Sequence, residues 1–202
     1  MRKLLVGILT STITMSAMAT TIGVSSHPFV VNKKVITTEL DTYLSNGTGT
    51  GITAKFQQRV NSKLTFDTGF GITDGERSSR FLAGADYQLL PDYGRQPKLS
   101  LKGLLDSKNM DGDRVNSFGV APTLSKGLAF WGNEAFPFIA LPVGVSLNTG
   151  DNSYQTTIAI AAGITGRIPV GGLENLVGNI ETNISLKDSY AALVMGVSLP
   201  IQ

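Results

Sequence analysis

Residues 63–73, KLTFDTGFGIT, alternate between apolar and polar positions. Leu64, Phe66, Phe70 and Ile72 fall at alternate positions, and polar or small residues lie between them. Successive side chains of a β-strand point to opposite faces, so this alternation predicts a strand with one apolar face and one polar face. The fold depends on which of these two faces meets water.

The same alternation recurs from residue 33 onward and predicts an all-β chain of about ten strands, or eight if two short segments are misread. Gly, Asn, Asp and Ser concentrate in the connections, as tight turns require. The regular spacing of strands and turns is typical of an antiparallel meander. The predicted strands span residues 33–44, 50–60, 63–73, 79–90, 97–107, 114–125, 136–148, 154–168, 177–187 and 189–201.

The polar faces of the predicted strands indicate where the apolar faces point. The sixth, eighth and tenth strands carry small residues there, such as Gly119, Ala161 and Gly196. A sheet surface in water normally carries long polar side chains, so small residues indicate a crowded interior. Charged residues, most of them on the first five strands, would face them and neutralise one another across the lumen. This predicted lumen-lining charged network comprises Glu39, Asp41, Lys55, Arg59, Asp67, Arg80, Asp86, Lys102, Asp106, Arg167 and Glu181.

A polar interior and an apolar exterior predict a closed antiparallel up-and-down transmembrane β-barrel. Within a bilayer only helices and closed sheets satisfy their backbone hydrogen bonds. No segment approaches the roughly 20 apolar residues that a membrane helix needs. Aromatic residues at outward positions near strand ends are predicted to anchor the barrel at the membrane interface. They are Phe66, Phe81, Tyr87, Phe118 and Tyr190.

The N-terminal residues MRKLLVGILTSTITMSAMA have the pattern of an export signal. Arg2 and Lys3 precede an apolar stretch, and Ala17-Met18-Ala19 matches a small-residue cleavage site. The stretch is too short, and too interrupted by hydroxyl residues, for a membrane anchor. The expected organisation is a signal peptide at residues 1–19, an N-terminal periplasmic leader at 20–32 and a transmembrane barrel at 33–202.

Charge and composition exclude some classes of partner and chemistry. The chain has 17 basic and 15 acidic residues, and removal of Arg2 and Lys3 leaves 17 − 2 = 15 of each sign. A neutral chain with scattered basic residues argues against a nucleic-acid partner. The absence of cysteine removes both disulfides and a thiol nucleophile.

Residues 33–202 resemble the small single-chain outer-membrane barrels of Gram-negative bacteria, of the OmpA or OmpX type. The final segment, YAALVMGVSLPIQ, is similar to the C-terminal assembly signal of that group, although Leu199 and Ile201 occupy positions where aromatics are usual. The resemblance implies an outer-membrane location reached through the cleaved signal peptide. It also implies outer-membrane lipid, lipopolysaccharide and the barrel assembly machinery as partners, with the oligomeric state left open.

Few residues suggest catalysis or metal binding. The single histidine, His27, lies ahead of the first strand, where a solvated leader residue is the simpler interpretation than a catalytic base. Asp111 and Asp113 alternate as calcium ligands do, but the later ligands of such a loop are missing. We therefore expect no catalytic residue, no metal and no cofactor.

Three functional hypotheses follow from these observations. The first is a non-enzymatic, porin-like outer-membrane barrel, either a narrow, weakly selective pore for small solutes and ions or a structural membrane protein. The second is a secreted soluble barrel that binds a small apolar ligand inside. The third, less favoured, is a lipid-modifying barrel enzyme.

Overall fold

The computed structural model of the protein describes residues 21–45, 49–74, 77–110, 112–130, 132–150, 152–173 and 175–201. In this part of the chain the secondary structure is twelve β-strands and one short 3-10 helix, Gly23–Ser26. The strands are β1 (Lys34–Tyr43), β2 (Gly49–Arg59), β3 (Leu64–Thr73), β4 (Arg77–Leu90), β5 (Lys98–Met110), β6 (Asp113–Ser125), β7 (Leu128–Phe130), β8 (Asn133–Ala140), β9 (Val143–Asn148), β10 (Ser153–Arg167), β11 (Val177–Lys187) and β12 (Ala192–Ile201).

The strands close into an antiparallel barrel with ten strand positions. β1 pairs with β2 on one side and with β12 on the other, which joins the two ends of the sheet. β8 and β9 share one position, because both pair with β6 and β10. The break between them falls at Leu141 and Pro142, and proline has no N–H to donate to a ladder. The predicted ten-strand closed barrel is confirmed.

Residues 128–135 differ from the prediction. They were expected to form a connection, but β7 and the start of β8 pair as a hairpin that extends the wall. Gly132 lies in its turn with a φ of 77°, a conformation that glycine adopts without strain. Gly132 and Asn133 in this stretch are residues typical of turns, so composition alone did not reveal the hairpin.

The wall has the inverted polarity that the alternation predicts. Phe70 and Ile72 are 55% and 59% exposed on the outside, whereas Asp67 is 7% exposed and points inward. We call the outward apolar side chains of the wall the apolar belt. It comprises Ile36, Leu40, Ile52, Phe56, Phe66, Phe70, Ile72, Phe81, Tyr87, Leu101, Leu105, Phe118, Val120, Leu124, Ile139, Val145, Leu147, Ile180, Ile184, Leu186, Met195, Val197 and Leu199.

The two ends of the barrel are distinguished by the termini of its strands. We call the end where β1 begins and β12 finishes the near mouth, and the opposite end the far end. Among the described residues no helix combines the length and apolar character needed to cross a membrane.

Candidate functional site

The barrel interior holds a segment of the chain's own N-terminal region. Residues 21–26 and Phe29 are buried, and the short 3-10 helix lies against β8, β10 and β11. We call residues 21–29 the leader plug. Residues 20–32 were predicted to form a periplasmic leader ahead of the barrel, and the structure shows the leader plug folded back into the lumen from the near mouth.

Small side chains of the wall make room for the leader plug. Ile22 packs in a buried cluster with Ala121 of β6 and Ala161 of β10. The ring of Phe138 lies close to Gly23. A Cβ atom added to Gly23 would lie 2.6 Å from Cε1 of Phe138. A larger residue at Gly23 would therefore displace either the ring or the plug. The small inward residues noted in the sequence accommodate a segment of main chain.

Two buried carboxylates hold the N-terminal part of the leader plug. The backbone N–H groups of Ile22 and Gly23 donate to Oε2 of Glu181 at 2.8 and 2.9 Å. The hydroxyl Oγ1 of Thr21 lies 2.7 Å from each carboxylate oxygen of Glu39. The Glu181 contacts supply acceptors for two N–H groups at the start of the helical turn, because such N–H groups have no acceptor within the turn itself.

Ion pairs connect nearby wall strands around the middle of the lumen. Lys55 Nζ lies 2.7 Å from Glu39 Oε2, and Lys102 Nζ lies 3.0 Å from Asp67 Oδ1. Lys102 Nζ also donates to the backbone carbonyl of Thr21 at 3.2 Å. All of these charged side chains are buried, so they contribute through mutual pairing rather than through solvation.

Lys98, nearer the near mouth, makes a similar double contact. Its Nζ lies 3.5 Å from Asp86 Oδ2 and donates to the backbone carbonyl of Ser25 at 2.8 Å. Lys98 was not part of the predicted network, although its position on the polar face of the fifth predicted strand could have indicated it. The leader plug is thus tied to wall lysines at two levels of the lumen.

The far half of the lumen contains what we call the tyrosine–arginine cluster: Tyr43, Arg80, Asp106, Lys108 and Tyr190. Arg80 donates from Nε to Asp106 Oδ1 at 3.0 Å, and its Nη1 donates to the Tyr43 hydroxyl at 3.1 Å. The rings of Tyr43 and Tyr190 meet edge to face with centroids 5.1 Å apart. The ammonium of Lys108 lies 5.5 Å from the centroid of the Tyr190 ring.

The position of Tyr190 differs from the prediction. It was expected on the outside at the membrane interface, but it is 2% exposed and belongs to the interior. Tyr190 has the same parity as Ala192 and Val194, which both point inward at the start of β12. The other predicted interface aromatics, Phe66, Phe81, Tyr87 and Phe118, are exposed members of the apolar belt.

The predicted charged network divides into a buried group and two residues at the near mouth. Arg59 is half-buried there and donates from Nη1 to the backbone carbonyl of Phe29 at 2.8 Å. Arg167 is the last residue of β10 and is exposed, because the barrel wall ends at this position. The buried members are Glu39, Asp41, Lys55, Asp67, Arg80, Asp86, Lys102, Asp106 and Glu181.

His27 lies at the near mouth, beside a cavity of about 220 Å³. It packs edge-on against Phe136 with ring centroids 5.2 Å apart, so it is half-buried rather than the solvated residue expected. Burial, followed by the positive charge of Arg167, lowers the pKa of His27 to about 4. The Nδ1 atom of His27 is buried and has no hydrogen-bond partner among the described residues.

Asp111, one of the two carboxylates considered for calcium, lies outside the described residues. Asp113 is the first residue of β6. Among the residues that the structure describes, no cluster of His, Asp and Glu side chains has the arrangement of a metal site.

Comparisons with known proteins find likeness in structure and none in sequence. No family model matches the chain, and no curated protein matches it. A de novo designed transmembrane β-barrel is similar over 87% of this chain and 100% of its own, with a TM-score of 0.43 and 13% identity. Ail, the attachment invasion locus protein of Yersinia pestis, is similar over 85% of this chain and 98% of its own, with a TM-score of 0.26 and 10% identity.

Proposed function

We propose that this protein is a non-enzymatic structural barrel of the bacterial outer membrane, whose lumen is closed by its own leader plug. The observation that carries the proposal is the combination of a charged, ion-paired interior with an exposed apolar belt. In water this arrangement would expose the apolar side chains while burying the charges. In a bilayer the belt meets lipid, which is the inverted pattern of membrane barrels.

The closed state of the lumen favours a structural role over that of an open pore. The leader plug occupies the lumen from the near mouth to Glu39, and the tyrosine–arginine cluster lies in the far half. A barrel of about eight strands is filled by side chains alone, and ten strands enclose only slightly more space. The additional space in this barrel accommodates the leader plug.

The same observations disfavour the two alternatives. A soluble barrel that binds an apolar ligand needs an apolar interior, but the side chains around the leader plug include buried carboxylates and ammonium groups. A lipid-modifying enzyme needs a nucleophile beside a base, and His27 packs against Phe29 and Phe136 instead. We further propose export through the cleaved signal peptide, and contact with outer-membrane lipid, lipopolysaccharide and the assembly machinery.

Channel recording of the refolded protein in a planar bilayer tests the sealed lumen. The wild type is expected to be silent, with heat-modifiable gel mobility as evidence that the barrel has folded. Steady openings of the wild type would instead support the narrow-pore hypothesis. Their ion selectivity would then be compared with that of an Arg80→Ala, Lys102→Ala double variant, which removes two long cationic side chains from the lumen.

Cysteine labelling tests the membrane orientation, since the chain has no cysteine of its own. In vesicles, a Phe70→Cys variant is expected to resist a membrane-impermeant maleimide because lipid covers the apolar belt. An Arg95→Cys variant, at an exposed connection, provides the reactive control. Rapid labelling at Phe70, or a wild type that stays monomeric and soluble without detergent, would contradict membrane insertion.

A further inference from the structure

The outer surface of the barrel carries an apolar groove that runs from the near mouth toward the middle of the wall. It has a volume of about 700 Å³, and Gly166 of β10 and Gly178 of β11 are among the residues that line it. These two glycines are directly paired and lie on the same outward face as Ile180. Neither has a side chain to fill the surface, so the wall is indented there. We call this cavity the side groove.

Apolar side chains on both sides of the glycines set the width of the side groove. Ile164, Ile180 and Met195 are directly paired on neighbouring strands and form the row toward the far end. Ile168, just beyond the end of β10, lies on the near-mouth side. Since each strand residue spans about 3.3 Å, removal of the one outward side chain between Ile164 and Ile168 leaves a narrow gap. A helix with its side chains, about 10–12 Å across, is too wide for this gap, whereas a single hydrocarbon chain fits.

A cationic side chain lies at the near-mouth end of the side groove. Arg167 lines the groove and is exposed as the last residue of β10. Among the described residues it makes no ion pair. Glu39 also borders the groove, but its carboxylate is buried on the lumen side with Lys55. Arginine pairs well with phosphate through two parallel hydrogen bonds, so this end of the groove favours a ligand with a phosphate group.

The depth of each part of the groove in a bilayer indicates the same kind of ligand. Arg167 lies where the wall ends, which is the level of the lipid headgroups when the apolar belt is embedded in the hydrocarbon core. Ile164 and Ile180 lie further toward the middle of the wall, at the level of the acyl chains. An apolar groove left empty would lose dispersion contacts along its lining. A lipid that has both a phosphate and an acyl chain matches the two ends of the groove.

We propose that the side groove binds one acyl chain of a glycerophospholipid whose phosphate group pairs with Arg167. Lipid tails are as apolar as the side chains that they meet, so apolar contact alone does not select one lipid. Selection comes from the shape of the groove and from the charge at its end. The inference rests on the proposed function and deepens it, because it names the class of membrane lipid that this part of the wall retains.

Native mass spectrometry of the refolded protein tests the groove. The protein would be released from detergent micelles that contain palmitoyl-oleoyl phosphatidylglycerol, and we expect the wild type to retain one molecule of this lipid. A Gly178→Leu variant should fold, because a Cβ atom at this position has Cγ1 of Ile168 as its nearest neighbour, at 3.4 Å. The leucine side chain would fill the groove, so this variant should lose most of the bound lipid.

Gly103→Leu is the matched control for this experiment. Gly103 lies at an outward position of β5, away from the groove, and a Cβ atom there would lie 3.8 Å from its nearest neighbour. This variant should retain the lipid as the wild type does. Equal retention in the wild type and in Gly178→Leu would overturn the proposal.

The charge is tested separately with an Arg167→Gln variant. We expect its affinity for phosphatidylglycerol to fall by about tenfold, as for the loss of one charge-assisted hydrogen-bonded pair. Arg95→Gln, at an exposed connection on the same end of the barrel, should leave the affinity unchanged. The diacylglycerol with the same two acyl chains has no phosphate and should bind the wild type and Arg167→Gln equally weakly. Diacylglycerol that binds the wild type as tightly as phosphatidylglycerol does would overturn the pairing of phosphate with Arg167.

A second copy of the chain is the competing occupant of the groove. A wild-type mass of two chains without lipid, reduced to one chain in Gly178→Leu, would overturn the lipid site. Failure of the proposed function gives different results, because a wild type that stays soluble without detergent contradicts membrane insertion, and steady channel openings contradict the sealed lumen. A folded, inserted and silent wild type that retains no more phosphatidylglycerol than Gly178→Leu overturns the lipid site alone.

Discussion

Arg80 and Asp106 form a two-point ion pair inside the barrel. Nε of Arg80 lies 3.0 Å from Oδ1 of Asp106, and Nη2 lies 3.0 Å from Oδ2. Both side chains are buried, and the same guanidinium lies 4.0 Å from Asp41. One arginine thus balances two carboxylates on different strands, so its loss would remove the cation that contacts both buried acids.

Replacement of Arg80 should destabilise the barrel strongly. We expect Arg80→Ala to lower the free energy of unfolding by about 3–5 kcal/mol, because removal of one member of a buried pair leaves the other charge uncompensated. Urea unfolding in lipid vesicles measures the change, and Arg95→Ala at an exposed connection is the control. Equal stability of the two variants would show that the Arg80 pair contributes nothing to folding.

Enlargement of Ala161 should displace the leader plug. Ala161 is fully buried against Ile22, so Ala161→Leu overpacks the cluster at a cost of about 1–3 kcal/mol. We expect faster hydrogen exchange at the Ile22 amide in this variant. Ala162→Leu is the matched control, because Ala162 has the opposite parity in β10 and points outward. Unchanged exchange in Ala161→Leu would contradict the observed contact between Ile22 and Ala161.

Acidification should weaken the docking of the leader plug through His27. The pKa of His27 in the folded protein, about 4, lies below its ordinary value of 6.5. Between these values the unfolded or undocked chain binds a proton that the docked chain does not, so docking loses stability as pH falls from about 7 toward 4. Hydrogen exchange of the leader amides between pH 7 and pH 5 measures this loss.

A His27→Gln variant separates this effect from titration of the carboxylates around the near mouth. The charged residues that line the two cavities beside His27 are Asp86, Asp92, Lys33, Arg59, Lys63, Lys98 and Arg167. The variant should show a smaller pH dependence of leader exchange than the wild type does. An identical pH dependence would assign the effect to those other groups.

Removal of the Tyr190 ring should lower the stability of the barrel, although the residue lies near a strand end. We expect Tyr190→Ala to lower the free energy of unfolding by about 3–5 kcal/mol, as for large buried aromatics, because Tyr43 and Lys108 both pack against the ring. Tyr154→Ala is the control, since Tyr154 is 74% exposed. Chemical denaturation of both variants compares the two sites. A Tyr190 effect as small as that of Tyr154 would restore the original expectation of an interface anchor.

The alternation in the sequence was enough to predict the closed barrel and the direction of its apolar face, and it predicted about ten strands while leaving eight open. These properties follow from a two-residue alternation, which each strand carries locally and which the chain repeats ten times. Residues such as Phe70 and Asp67 could therefore be assigned to opposite faces without knowledge of their neighbours. The hairpin at residues 128–135 was missed because its turn composition carries no such alternation.

The occupant of the lumen could not be predicted from the sequence and became known from the folded chain. The contact between Ile22 and Glu181 joins positions 159 residues apart, and the leader has no periodic pattern that could indicate a buried segment. Its burial depends on the combined shape of Ala121, Ala161 and Phe138, which lie on different strands. A local pattern specifies the face of the strand on which a side chain lies. The occupant of a closed interior depends on the volume and the charges that all the wall strands enclose together, and only a segment that matches both can fit there.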